Sequence, residues 1–170
     1  MILSDTMKKI FPPLEITRAR KSHKEGKSLT DFKNKKVTIM GLGLLGGGLG
    51  VAKFFCQQGA KVLVTDLKTK EKLKESISKL KGFKIDYILG RHRQEDFINT
   101  DLVIRNPGVP KESYFLKVAK EHKVPVETDI TIFFKLCKAP IIGITGTKGK
   151  STVATLVYRF LKTKYPNTLL

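Results

Sequence analysis

The chain has 170 residues, 41% of them apolar, which is enough to bury the core of one ordinary domain. Lys and Arg number 33 against 15 Asp and Glu, a net charge of +18 that suits an anionic small-molecule ligand. The lysines are spread over predicted helix surfaces with no aromatic side chains between them, which argues against nucleic-acid binding. No apolar run approaches membrane-spanning length and no signal-peptide core opens the chain, so a cytoplasmic protein is expected.

Residues 1–34 are polar and basic, contain Pro12 and Pro13, and read as a loosely held leader. Regular organisation begins at Lys35. Lys36 to Met40 is a predicted strand, followed by a glycine-rich turn and a helix through Gln57. Lys61 to Thr65 is the second strand, ending at Asp66. A Lys-rich helix over 68–81 follows, with Leu73, Ile77 and Leu80 as its inward stripe. Ile85 to Leu89 and Asp101 to Arg105 are the third and fourth strands, the latter running into the turn Asn106, Pro107, Gly108. Lys111 to His122 is a helix with Phe115, Val118 and Ala119 on one face. Val124 to Val126 is a fifth strand and Asp129 to Leu136 a short helix. Strands alternating with helices predict an α/β fold, a Rossmann-like doubly wound parallel sheet. Cys56 and Cys137 lie far apart among apolar neighbours and read as buried, reduced thiols. His23, His92 and His122 show no metal-ligand spacing, and His92 reads as an exposed bystander.

A second pattern opens at Pro140. Pro140 to Ile144 reads as a short buried strand, and from Lys150 the residues Val153, Leu156, Val157, Phe160 and Leu161 recur at helical spacing. Between them lies Gly143-Ile-Thr-Gly-Thr-Lys-Gly-Lys-Ser-Thr152. A glycine-rich turn between strand and helix lets backbone N–H groups cradle phosphates. The Lys after the last Gly reaches the terminal phosphates, and the hydroxyl after it ligates Mg²⁺. Gly146, Gly149, Lys150 and Ser151 hold those places. The spacing departs from the strict motif, because the first glycine falls at Gly143 and Ile occupies position 144. One strand and one helix cannot bury their apolar faces alone. The expected organisation is a Rossmann-like domain over 35–137 and the first strand–loop–helix unit of a second α/β domain over 138–170, in a fragment of a longer enzyme.

The earlier turn, Gly41-x-Gly43-x-x-Gly46, stands between strand and helix, with Asp66 twenty residues past Gly46. The first glycine makes a tight turn, the second lets the backbone approach a pyrophosphate, and the third packs helix on strand. The acidic residue accepts from ribose hydroxyls. NAD and a UDP-sugar offer a diphosphate and a ribose equally well, so the motif alone leaves a dinucleotide oxidoreductase open. A non-catalytic nucleotide-binding module is open too. Gly47 and Gly48 extend the run beyond what this pattern uses.

The order of the loops narrows the choice. A Rossmann-like domain with a diphosphate loop precedes a phosphate loop of the Thr145-Gly-Thr-Lys-Gly-Lys-Ser-Thr152 type, and Leu89-Gly90, Asp101-Leu-Val-Ile-Arg-Asn-Pro-Gly-Val109 and Asp129-Ile130 lie between. In these segments the chain resembles the Mur ligases, the ATP-dependent amino-acid ligases of peptidoglycan synthesis, and most nearly their D-glutamate-adding branch. The resemblance implies ATP and Mg²⁺ as cofactors and UDP-N-acetylmuramoyl-L-alanine and D-glutamate as substrates, joined through an acyl phosphate. It implies no nucleic-acid or membrane partner, and a monomer is expected.

Carried over residue by residue, the resemblance gives Gly43, Leu44, Leu45 and Gly46 to the diphosphate and uridine. Asp66, Leu67, Lys68 and Gly90 fall to the uridine, and Asn106 to a turn near the substrate. Gly146, Thr147, Lys148, Gly149, Lys150, Ser151 and Thr152 would hold ATP, with Lys150 catalytic and Ser151 on the metal. Thr131 stands where the family has Glu, and Lys148 where it usually has Asn.

Overall fold

The computed structural model describes residues 31–43 and 47–170; the leader 1–30 and the loop residues Leu44, Leu45 and Gly46 lie outside the described residues. The described residues fall into two units that part between Cys137 and Lys138.

In the first unit, short runs rich in Val, Ile and Leu pair as strands β1 (Lys36–Met40), β2 (Lys61–Asp66), β3 (Ile85–Leu89), β4 (Leu102–Arg105) and β5 (Val126–Glu127). They form one parallel sheet in the order β3-β2-β1-β4-β5. The helices between them are α1 (Gly47–Gln57), α2 (Lys74–Ser78), α3 (Glu95–Ile98), α4 (Tyr114–Glu121) and α5 (Asp129–Leu136). In register, Val37 lies beside Val62 and Leu102, and Ile39 beside Val64 and Ile104. These side chains share one core with Ala52 and Phe55 of α1, Leu73, Leu80 and Ile132. The alternate positions Met40 and Val103 enter a second core with Phe97, Leu116, Ala119 and Val124. Because the sheet is covered on both faces, its strands read as nearly continuous apolar runs. Fully burying an aliphatic or phenyl side chain contributes roughly 1.5–3 kcal/mol.

Several elements differ from the sequence reading. The core begins before Lys35: Phe32 is buried and meets Phe55 edge-on at 4.9 Å and Phe54 at 6.1 Å. The helix expected over 68–81 shrinks to the five residues of α2. On either side, Lys74, Leu80 and Lys81 bond to carbonyls three residues back, the tighter turn that ends an α-helix. The stripe still seats Leu73 and Leu80 in the core. Pro125 has no N–H to give a ladder, so β5 starts at Val126 rather than Val124, while the Pro125 carbonyl accepts from Val103. The single turn α3 went unforeseen.

Helix α4 ends where Lys123 turns left-handed (φ 59°), with Val124 N–H returned to the Ala119 carbonyl at 2.8 Å. A side chain pays for that conformation where glycine does not. Lys123→Gly should therefore stabilise the domain by about 0.5–1 kcal/mol, read as a higher urea midpoint. A lower midpoint would contradict the reading.

In the second unit α6 spans Lys150–Lys164 as its apolar spacing predicts. The strand expected over 140–144 does not form: Ile141 and Ile142 are exposed and pair with no strand among the described residues. A β-strand exists through its ladder, and an unpaired apolar segment stays irregular. None of the side chains of α6 is buried.

Candidate functional site

In a doubly wound sheet, ligands sit beyond the carboxyl ends of the strands where the strand order reverses. Here the order reverses between β1 and β4, and the turns that leave them face each other. Gly41 (φ 90°) and Gly43 (φ 69°) take backbone conformations that side chains rarely adopt. A narrow crevice lies between Gly47–Gly48 and Arg105–Pro107, floored by Ile39 and Ile104, and Asp129 also lines it.

Gly48 explains the long glycine run. A Cβ there would meet the Leu42 carbonyl oxygen at 2.4 Å and the Gly41 carbonyl oxygen at 2.6 Å. Helix α1 therefore packs on the loop backbone at Gly48; the helix-packing role expected of Gly46 lies outside the described residues.

Asn106 closes the opposite side. Its Oδ1 accepts the Gly108 N–H at 3.0 Å, which fixes the orientation of the amide. The Nδ2 is thereby turned toward the loop, 3.4 Å from where a Cβ on Gly43 would sit and 3.8 Å from that of Gly47. The turn is held by Val109 N–H bonding to the Asn106 carbonyl and by Arg105 Nη1 donating to the Val109 carbonyl at 2.6 Å. A donor thus faces the crevice from the β4 side.

Asp66, at the end of β2, is buried and accepts three backbone N–H groups. Leu42 (2.9 Å) and Gly43 (3.3 Å) donate to Oδ2, and Lys68 (2.9 Å) donates to Oδ1. Gly90 N–H donates to the Lys68 carbonyl at 3.0 Å, which joins the ends of β2 and β3, and Leu67 stands exposed between. Ser76 Oγ donates to the Gly43 carbonyl. The structure thus brings Gly43, Asp66, Leu67, Lys68, Gly90 and Asn106 to one edge of the sheet.

Sequence reasoning missed Gly48, Ser76 and His92. His92 is half-buried rather than an exposed bystander. Its Nδ1 lies 2.7 Å from Thr65 Oγ1, and its ring meets Phe115 and Phe97 edge-on. Burial holds the imidazole below its ordinary range, opposed by the Asp66 and Asp96 carboxylates. Both cysteines are half-buried as well, and burial raises the Cys56 thiol. Thr131 serves locally: it exchanges side-chain and backbone bonds with Thr128 as the capping box of α5.

In the second unit, Gly149 (φ 77°) precedes α6, whose first turn has no side-chain cap and no acidic residue. Lys150 Nζ folds back over the loop to the Gly146 carbonyl at 2.7 Å, and Ser151 and Thr152 are exposed at the helix start. Free N–H groups at a 15-residue helix, a lysine over the loop and an adjacent hydroxyl suit a polyphosphate with its cation. Among the described residues no cluster of His, Cys, Asp and Glu suits a metal ion, and no helix is long and apolar enough to cross a membrane.

Sheet order, turn placement and the glycine-lined crevice together define a doubly wound α/β domain of the nucleotide-binding type. Residues 35–128 match the family model of the Mur ligase MurD-like N-terminal domain. The chain belongs to the Mur ligase family and carries its MurD-like N-terminal domain. It is 45% identical over 136 residues to the UDP-N-acetylmuramoylalanine–D-glutamate ligase of Roseiflexus sp. (strain RS-1), which covers 80% of this chain and 29% of that protein. To the same-named ligase of Borreliella burgdorferi (strain ZS7) it is 46% identical over 144 residues, 84% of this chain and 31% of that protein. The chain spans about three-tenths of the length of these curated relatives. A Neisseria meningitides structure, UDP-N-acetylmuramate:L-alanyl-gamma-D-glutamyl-meso-diaminopimelate ligase, shares the fold. Its TM-score is 0.53 at 20% identity, covering 76% of this chain and 40% of that one.

Proposed function

We propose that residues 35–137 hold the UDP portion of UDP-N-acetylmuramoyl-L-alanine, and that 138–170 supply the ATP loop of a cytoplasmic ligase that adds D-glutamate to it. The observation that carries this reading is the Asn106 amide donor facing the glycine turn at the β1–β4 reversal. The Asn106 Nδ2 faces a turn whose glycines carry no side chain to keep a ligand away, as close approach of a diphosphate requires. Asp66, Leu67, Lys68 and Gly90 border the nucleoside end, where Asp66 keeps lone pairs for a ribose hydroxyl. The names of the relatives, ligases that join D-glutamate to UDP-N-acetylmuramoylalanine, support the substrate pair.

Bound ATP would supply the phosphoryl group that activates the substrate carboxylate. Toward it, Lys150 neutralises terminal phosphate oxygens, and Gly146, Thr147, Lys148, Gly149 and Thr152 offer backbone N–H groups. The Ser151 hydroxyl would ligate Mg²⁺. Such a site works by positioning and charge neutralisation.

A chimera tests this. The chain replaces the matched amino-terminal segment of the Borreliella burgdorferi ligase and is assayed with ATP, UDP-N-acetylmuramoyl-L-alanine and D-glutamate. Amide formation is expected. Lys150→Ala in the chimera should abolish turnover and leave Kd for the UDP substrate within about twofold, because the lysine acts on the other nucleotide. Full turnover without Lys150, or a folded chimera that binds no UDP substrate, would contradict the assignment.

A further inference from the structure

Gly43 lies on the first loop opposite the Asn106 amide, and the segment from Asp66 to Ser76 holds both polar atoms of this residue. Its N–H donates to Asp66 Oδ2 and its carbonyl accepts from Ser76 Oγ at 3.1 Å. The same Asp66 receives Lys68 N–H on Oδ1, and Lys68 passes the connection to Gly90. One hydrogen-bonded path therefore runs from the glycine loop after β1, through a single carboxylate, to the turn after β3. Asp66 and Ser76 are only 5% and 6% exposed, so water competes little for these bonds. Leu42, which also donates to Asp66, is fully buried, so the loop end of the path is anchored in the core.

We propose that Asp66, assisted by Ser76, is a positioning residue that makes recognition of the nucleoside and of the diphosphate cooperative; this rests on the UDP-site reading above. A nucleoside that orders Leu67, Lys68 and Gly90 also fixes the Asp66 carboxylate. The carboxylate in turn fixes the Gly43 peptide, so less conformational entropy is lost when the diphosphate binds. By linkage the diphosphate raises the affinity for the nucleoside equally. Asp66→Asn breaks this path selectively. The amide keeps the size of the side chain but offers one acceptor oxygen in place of two. Its NH₂ must then face either Lys68 N–H or the Leu42–Gly43 pair. Ser76→Ala removes the tether on the carbonyl side alone.

The test uses the 170-residue chain, with pyrophosphate titrated in the presence and absence of saturating 5′-deoxyuridine and with UDP titrated separately. In the unaltered chain the nucleoside should raise pyrophosphate affinity at least about fivefold. In Asp66→Asn that factor should fall to about one, and Ser76→Ala should lower it partly while UDP still binds and the unfolding temperature is unchanged. Should Asp66→Asn fail to fold, the loss of coupling in Ser76→Ala decides the matter. No coupling in a chain that binds UDP, or the unaltered factor in both variants, overturns the proposal. A chain that binds no UDP removes the site reading and the coupling with it.

Discussion

Gly48→Ala should lower the unfolding temperature of the domain by roughly 15 °C, whereas Gly50→Ala, two positions along the same helix, should raise it slightly. The added methyl at Gly48 lands 2.4 Å from the Leu42 carbonyl oxygen, 2.6 Å from that of Gly41 and 2.8 Å from the Leu42 Cα. All three are backbone atoms, so no side chain can rotate away. Either α1 lifts off β1 or the loop leaves its left-handed path. Overpacking of a well-packed site costs about 1–3 kcal/mol, and with backbone on every side the upper end is expected. At Gly50 nothing lies within 4 Å of the added methyl, so only the helix preference for alanine acts, worth up to about 1 kcal/mol. Thermal unfolding followed by circular dichroism reads both. Equal shifts in the two variants would show that α1 does not rest on the loop at Gly48.

Asn106→Asp should weaken UDP binding by at least about 3 kcal/mol, roughly 100-fold in Kd, with little change in stability. The substitution keeps the oxygen that accepts Gly108 N–H, so the turn should survive. It exchanges the NH₂ donor that faces the glycine loop for a second carboxylate oxygen. A donor to a charged phosphate is worth about 1.5–3 kcal/mol, and repulsion between carboxylate and diphosphate adds to its loss. Asn106→Ala loses the donor without gaining the charge and should fall between. Titration calorimetry at two salt concentrations separates the parts, since the repulsion is screened by salt and the lost bond is not. If Asn106→Asp bound UDP as well as the unaltered chain, the diphosphate would not lie between the β1 and β4 turns.

Much of this architecture is legible in the sequence because the signals are local. Strands β1 to β4 are short β-branched runs ended by turn residues, and their alternation with apolar helices dictates a parallel sheet. The loop residues Gly41, Gly43, Asp66, Gly90 and Asn106 all sit at strand ends, so a correct strand reading places them at one edge. What escaped the sequence depends on contacts between distant segments. Gly48 is diagnostic only once α1 is laid across Leu42. Ser76 matters because α2 returns to Gly43, 33 residues back. His92 looks idle until Thr65 and two phenyl rings surround it. The segment 140–144 has the composition of a strand, yet composition supplies no ladder partner. The helix over 68–81 was overextended because its apolar stripe is satisfied by one α-helical turn and tighter bonds beside it.

The most direct test follows the backbone amides of the 170-residue chain by NMR while UDP, and separately NADH, is added. The account predicts saturable shifts on UDP addition at Gly41, Gly43, Gly47, Lys68, Gly90 and Asn106, with weaker binding of NADH. Tighter binding of NADH, or UDP shifts that bypass the turns after β1 and β4, would contradict it.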